Sequence, residues 1–277
     1  MDEIMIFQVI TVGISVLNNF VQNNVDERLI KKYKMYKWTR LRPDSEEQII
    51  PESHAYAGSE VFDALLNYVK KNPFAASAEL NSLHMFEITR GISEDEQEIQ
   101  LYSTDTGTGW LCTNVLYTYL KGRNYKLTGK PVKVRKFGWG PEFIEDALIE
   151  LMDKLVRVMI EKKKAGYRVY VNATGGLKPE SAFLVVASLL SGVDVIYYAH
   201  QVYNDIAILP VLPLSIKSEY IEYLRKLKGG VDYTYLKDVA GVPRDVIADL
   251  ENKGLIEVYK GKVRLRKWIE KLLEIIG

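Results

Sequence analysis

The sequence contains a single cysteine, Cys112, among its 277 residues, so an intramolecular disulfide framework is excluded. It has only three histidines and a formal net charge of +1, which gives no overall electrostatic attraction for a nucleic acid. No apolar run approaches the roughly 20 residues that a membrane-spanning helix needs. The first residues, Met1-Asp2-Glu3, lack the positive flank of a signal peptide. We therefore expect a cytoplasmic protein with no membrane partner.

Two common nucleotide-binding motifs are also missing. The sequence has neither the dinucleotide fingerprint GxGxxG nor the phosphate loop GxxxxGKS at the turns where they would be expected. This disfavours a nicotinamide-dependent or ATP-dependent enzyme. No Cys, His and carboxylate cluster with metal-ligand spacing is visible either, so we predict no metal and no cofactor.

The chain does contain alternating strand and helix patterns up to residue 214. Apolar strand patterns at residues 4–12, 98–103, 131–137, 168–172, 193–199 and 206–212 alternate with amphipathic helix patterns. Such alternation predicts an α/β fold, a doubly wound and mostly parallel sheet, with the last two strands pairing as a hairpin. Residues 215–277 change to short helices followed by a hairpin signal, which predicts a small C-terminal winged helix-turn-helix domain.

Two polar, glycine-containing turns follow the first and fourth long strands. They are Thr-Val-Gly-Ile-Ser at residues 11–15 and Asn-Ala-Thr-Gly-Gly-Leu-Lys at residues 172–178. The carboxyl ends of parallel strands meet at one edge, and each turn begins a helix whose free N–H groups favour anions. Lys178 adds a positive charge there, and the loop at residues 104–109 lies at the same edge. The sequence therefore predicts a phosphate-binding site.

Each of these residues also has an ordinary structural explanation. Ser15 fits the common role of a helix N-cap. Gly175 and Gly176 fit a tight structural turn, and Lys178 fits a solvated surface side chain. The residue types alone leave these alternatives open.

The motifs together resemble those of the CRISPR-associated Rossmann-type (CARF) proteins. Residues 9–19 resemble the first-strand motif of these proteins, and residues 172–180 resemble their fourth-strand motif closely. The trailing winged helix extends the resemblance to archaeal CRISPR ring nucleases over essentially the whole chain. The resemblance implies a Rossmann-like domain over residues 1–214, which binds a cyclic oligoadenylate, and a winged helix over residues 215–277.

The resemblance also implies a homodimer around one cyclic tetra-adenylate and a metal-independent cleavage to linear di-adenylate with a 2′,3′-cyclic phosphate. Catalytic roles fall on Ser15 and Lys178. The implied ligand-binding residues are Gly13, Ile14, Thr106, Gly107, Thr108, Asn172, Thr174, Gly175 and Gly176. Cleavage would switch off type III CRISPR signalling.

A second function stays open at this point. A ligand-responsive transcriptional regulator would bind the ring without cleaving it and would contact DNA through the winged helix. Residues 215–277 carry a surplus of about three basic residues, which is modest for DNA binding. The sequence leaves open the ring size and the role of residues 37–73, a long excursion for which a lid over the ligand is one interpretation.

Overall fold

The computed structural model describes residues 5–137, 139–175, 178–200, 205–212 and 214–276. These residues divide into two compact units, Met1–Pro213 and Leu214–Gly277. In the described part of the chain, no helix is both long enough and apolar enough to cross a membrane.

The first unit is built on a mixed sheet. Its strands are β1 (Ile6–Val12), β2 (Gln97–Ser103), β3 (Lys126–Leu127), β4 (Val132–Lys133), β5 (Arg168–Asn172), β6 (Val195–His200) and β7 (Asp205–Leu209). The order is β3-β2-β1-β5-β6-β7, and the short β4 also pairs with β2. All pairings are parallel except that of β6 with β7, which confirms the predicted α/β class with a mostly parallel sheet and a terminal hairpin.

β1 lies at the centre of this sheet and is buried along its whole length. Its neighbours are β2 on one side, where Val12 lies opposite Ser103, and β5 on the other, where Ile10 lies opposite Asn172. The chain leaves β1 toward β2 and later returns to β5, so the direction of winding reverses between β1 and β5. In open sheets of this kind, ligands bind at the carboxyl edge beside such a reversal.

Helices cover both faces of the sheet. Their bounds are α1 (Ser15–Gln22), α2 (Glu27–Tyr33), α3 (Met35–Trp38), α4 (Ile49–Glu52), α5 (Glu60–Lys71), α6 (Pro73–Ala76), α7 (Ala78–Arg90), α8 (Gly107–Gly122), α9 (Ile144–Leu151), α10 (Arg157–Lys164) and α11 (Lys178–Leu190). Short 3₁₀ turns lie at Glu46–Gln48, Glu94–Glu96 and Pro141–Phe143, and a π-helical turn, Met152–Val156, joins α9 to α10.

The two faces of β1 pack against different groups of helices. Ile10 and Val12 join an extensive apolar cluster, which includes residues of α1, α5 and α8. Phe7 points to the other face, where the Lys162 ammonium of α10 lies 4.7 Å from its ring centroid. At the far end of the first face, Phe86 of α7 stacks on Tyr197 of β6 with ring centroids 4.1 Å apart.

The third predicted strand, residues 131–137, is much shorter in the structure. Only Val132–Lys133 pairs with β2. The chain then turns, and the amide of Phe137 donates to the carbonyl of Val134 at 3.3 Å. Lys136 has a positive φ of 60°, which ends the extended conformation.

The second unit contains α12 (Ser218–Lys226), β8 (Val231–Asp232), α13 (Tyr233–Asp238), α14 (Arg244–Asn252), β9 (Ile256–Tyr259), β10 (Lys262–Leu265) and α15 (Lys267–Ile276). Its three strands form an antiparallel sheet in the order β8-β10-β9. Leu224, Leu236, Leu250 and Val263 are fully buried and supply its small core.

Candidate functional site

The turns after β1 and β5 contact each other at the carboxyl edge of the sheet. The hydroxyl of Thr11 donates to the carbonyl of Gly175 at 2.7 Å and also lies 3.4 Å from the carbonyl of Asn172. A Cβ atom at Gly175 would lie 2.6 Å from the amide nitrogen of Gly13 and closer still to the carbonyl of Thr11. Residue 175 must therefore be glycine for the two turns to approach this closely.

Gly13, Ile14 and Ser15 form the first turn of the site and are all partly exposed. Ile14 occupies the N-cap position of α1 with no capping bond from its side chain. Ser15 is the first residue of the helix itself, and its hydroxyl faces α7. Ser15 is thus not a conventional N-cap.

A carboxylate that the sequence reasoning missed fills the space behind this turn. Glu79 in the first turn of α7 is only 2% exposed. Its Oε1 accepts from the amide of Gly13 at 2.9 Å, and its Oε2 accepts from the hydroxyls of Ser15 at 2.6 Å and Ser77 at 2.8 Å. Three hydrogen-bond donors therefore converge on one buried side chain.

Local sequence rules explain how Glu79 reaches this position. Ser77 is the N-cap of α7, and its hydroxyl accepts from the amide of Leu80 at 3.2 Å. The pattern Ser-Ala-Glu places an acid in the first turn of the helix, where the helix dipole favours negative charge. This pattern is typical of a helix start, whereas only the tertiary structure brings Glu79 to Ser15.

Glu79 changes the electrostatics predicted for the first turn. The Gly13 amide and the Ser15 hydroxyl are the donors expected to hold an anion, and both are already bound to a carboxylate. A phosphate placed directly on them would meet a like charge, which is unfavourable.

In the turn after β5, two predicted ligand-binding residues are engaged in internal contacts. Asn172 is fully buried, and its amide donates to Ser82 at 2.9 Å and to the carbonyl of Glu79 at 3.2 Å. The Thr174 hydroxyl donates to Ser82 at 2.9 Å and accepts from the amide of Ala199 at 2.9 Å. These side chains tie the turn to α7 and β6.

Gly176 and the side chain of Lys178 lie outside the described residues. The backbone of Lys178 is described, and α11 begins at this residue. The helix therefore starts directly beyond the turn at the carboxyl end of β5.

The third predicted loop is covered by the excursion between α3 and α5. The side-chain oxygen of Gln48 accepts from the Thr108 amide at 3.0 Å, and the Thr108 hydroxyl lies 3.3 Å from the same atom. The Thr106 hydroxyl caps α8 by accepting from the amide of Gly109 at 3.0 Å. A Cβ atom at Gly107 would overlap the carbonyl of Gln48. Thr106, Gly107 and Thr108 are thus buried beneath residues 46–52, and the structure does not bring them into the open site.

The site offers few other reactive groups. Burial raises the pKa of the Cys112 thiol to about 12, and this side chain lies in the core beside α1. Among the described residues, no group of three or more His, Cys, Asp or Glu side chains is arranged to hold a metal ion. The groups available at the described edge are therefore hydroxyls, amides and the Glu79 carboxylate.

A family model described as CRISPR-associated protein (Cas_APE2256) matches residues 74–212. The matched range begins at α6 and ends beyond β7. It thus contains Glu79, the covered third loop and the turn after β5, while Ser15 lies before it.

Proposed function

The chain belongs to this family of CRISPR-associated proteins, and we propose that it binds a cyclic oligoadenylate at the carboxyl edge of its sheet and cleaves the ring. The single observation that carries the proposal is the contact between the two turns, made by the Thr11 hydroxyl and the Gly175 carbonyl. It joins the turn that contains Ser15 to the turn that precedes α11, beside the reversal between β1 and β5.

We propose that the first unit is a CARF domain of the Rossmann-like type. The strand order and the place of the reversal support this identification. As a homodimer, two such edges would face each other across a two-fold axis. A cyclic tetra-adenylate has two-fold symmetry of its own, so one ring fits the paired sites.

Cleavage would proceed by attack of a ribose 2′-oxygen on the adjacent phosphorus, with expulsion of the 5′-oxygen. Ser15 would orient the 2′-hydroxyl, because its own proton is committed to Glu79. Lys178 and the amides of Gly175 and Gly176 would stabilise the charge that develops on the phosphate. Holding the attacking oxygen in line supplies much of the remaining rate.

The second candidate function is a ring-sensing transcriptional regulator. The helix and hairpin order of the second unit supports a winged helix, with α14 as its recognition helix and β9–β10 as its wing. The charge distribution of the second unit gives less support to DNA binding. Lys253, directly after α14, is paired with Asp249, and on the wing the Arg264 guanidinium is paired with Glu257. Such paired cations have less charge to offer phosphates. We therefore rank cleavage first.

To test this proposal, labelled cyclic tetra-adenylate is incubated with the full chain in EDTA, and the reaction products are identified. We expect linear di-adenylate ending in a 2′,3′-cyclic phosphate. Ser15→Ala and Lys178→Ala should slow single-turnover cleavage by about 100-fold or more. Lys164→Ala, an exposed lysine at the end of α10, is the matched control and should leave the rate unchanged.

Two other outcomes would contradict this proposal. A ring that is bound but remains intact would reject cleavage and favour the regulator. A chain that does not bind the ring would reject both functions.

A further inference from the structure

We propose that Glu79 and Ser15 act as a proton-accepting pair, in which Ser15 passes the proton of the ribose 2′-hydroxyl to Glu79. This inference rests on the proposed cleavage. It assigns the acceptor of the proton that the attacking oxygen must lose. Glu79 does not touch the ring and acts through Ser15, so it is a positioning residue.

The hydrogen bonds of Ser15 define what its hydroxyl can still do. A hydroxyl has one proton to donate and two lone pairs that accept. The proton points to Glu79 Oε2 at 2.6 Å, and one lone pair faces the amide of Ala78 at 3.3 Å. The remaining lone pair can only accept. Ser15 is partly exposed, so this lone pair is available to a donor such as the 2′-hydroxyl and is unsuited to a phosphate oxygen.

The position of Glu79 is fixed from three sides. The Gly13 amide holds Oε1, and the Ser77 hydroxyl holds Oε2 together with Ser15. At 2% exposure, the carboxylate is shielded from bulk water. Of the two hydroxyls that bind Oε2, Ser77 is fully buried, whereas Ser15 is partly exposed. A proton that arrives at Ser15 is therefore directed to Glu79.

The step balances without a further reactant. The 2′-oxygen loses its proton to Ser15 Oγ while the hydroxyl proton of Ser15 moves to Glu79 Oε2. The 2′-oxygen forms a bond to phosphorus, and the bond from phosphorus to the 5′-oxygen breaks. The leaving 5′-oxygen takes a proton from the Lys178 ammonium or from water. Glu79 then returns its proton to solvent through Ser15, and Lys178 regains one.

The variant that tests the pair is Glu79→Gln, which keeps the shape of the side chain but does not accept the proton. We expect single-turnover cleavage to fall by about 100-fold or more, within the range for loss of acid–base catalysis. The dissociation constant of a 2′-deoxy cyclic tetra-adenylate, which lacks the nucleophile, should change by less than about threefold. Glu79→Asp keeps a carboxylate at shorter reach and should recover part of the rate.

Glu87→Gln is the matched control. Glu87 is a second buried glutamate on α7, and it contacts Tyr125 and Gln97 rather than the turns. Its exchange should leave the cleavage rate unchanged. Thermal melting of each variant shows whether it is folded at the assay temperature.

A second measurement uses the unaltered chain and so does not depend on the folding of any variant. The single-turnover rate is recorded in mixtures of H₂O and D₂O. Two protons moving together predict a curved dependence of the rate on the deuterium fraction, whereas one moving proton predicts a straight line.

The possible results separate this inference from the proposed function. Wild-type cleavage that persists unchanged in Glu79→Gln, or a straight dependence on deuterium, would overturn the pair and leave the cleavage in place. Absence of cleavage in the wild-type chain would overturn both. Loss of rate with retained binding of the 2′-deoxy ring supports the pair.

Discussion

The hydroxyl of Thr11 donates a 2.7 Å hydrogen bond to the carbonyl of Gly175, across 164 positions of the chain. Thr11 is near the end of β1, and Gly175 lies in the turn after β5. The bond therefore fixes the spacing of the two turns on which the proposed site is built. Because β1 and β5 pair directly in parallel register, this spacing is also set by the central strands of the sheet.

Replacement of Gly175 by alanine should separate these turns. The added Cβ would lie 2.6 Å from the Gly13 amide nitrogen and 2.7 Å from Glu79 Oε1, so backbone atoms must move. We expect the free energy of unfolding to fall by about 1–3 kcal/mol, as overpacking commonly costs. Single-turnover cleavage should fall by about 100-fold, since small misplacements near a reacting centre have such effects.

Gly122→Ala is the control for that substitution. No atom lies within 4 Å of a Cβ built at Gly122, at the end of α8. Alanine there should leave cleavage unchanged and the stability unchanged or slightly higher. Equal cleavage rates for both glycine variants would mean that the spacing of the turns does not matter to the site.

The sequence predicted the sheet better than it predicted the helices that cover it. β5 was predicted with its observed bounds, Arg168–Asn172, because a continuous apolar run between turn signals is typical of a buried parallel strand. The helix α7, Ala78–Arg90, was not predicted. Its buried residues include Glu79, Ser82 and Glu87, so its inward face does not show the purely apolar stripe of an amphipathic helix.

The candidate site, too, was predicted only in part. Strand ends and glycine turns predicted that residues 11–15 and 172–175 lie at the same edge, because parallel topology requires it. The role of Glu79 could not be predicted, since 64 positions separate it from Ser15 and no local rule connects them. The burial of Thr106 and Thr108 was missed because it depends on Gln48, in an excursion with no strong periodicity.

A second prediction concerns the dependence of stability on pH. Burial raises the pKa of the Glu87 carboxyl above its ordinary value of 4.5, and hydrogen bonds from Tyr125 and Gln97 oppose that rise. The folded state therefore binds this proton more strongly than the unfolded state does. The resulting stability is complete below the unfolded pKa and is lost as the pH rises through the folded pKa. The charged groups that face Glu87 are His84, Glu94 and Arg123.

Glu87→Gln removes that dependence and keeps the acceptor for Tyr125 and Gln97. We expect the variant to be more stable than the wild type near neutral pH, and the difference to vanish toward about pH 4. This difference in the free energy of unfolding is measured by urea unfolding at several pH values, with tryptophan fluorescence as the signal.

Glu60→Gln is the control of opposite sign. Hydrogen bonds from Lys32 and Tyr33 lower the pKa of Glu60, so its stability contribution is present above the unfolded pKa and is lost as the pH falls. That variant should be slightly less stable than the wild type near neutral pH, with no difference in acid. A Glu87→Gln variant that is less stable than the wild type near neutral pH would contradict the assignment of burial as the dominant cause.

The third prediction separates a scaffold role of Asn172 from a ligand-binding role. Asn172 is fully buried and joins Ser82, the carbonyl of Glu79 and the amide of Thr174. Alanine at this position would leave buried polar groups without partners, so the free energy of unfolding should fall by about 1–3 kcal/mol. Asn67→Ala, at an exposed position on α5, should have little effect.

The affinity for the 2′-deoxy ring decides between the two roles. We expect Asn172→Ala, measured at a temperature where it remains folded, to bind this ring within about threefold of the wild-type affinity. A direct contact would give the reverse pattern, with affinity lost by tenfold or more and stability unchanged. The geometry favours the scaffold role, because the hydrogen bonds of the Asn172 side chain go to α7, to the following turn and to Tyr197 of β6. On this argument, the family resemblance at residues 172–175 preserves the shape of the turn, and the ring contacts of the proposed function would come from its backbone and from the start of α11.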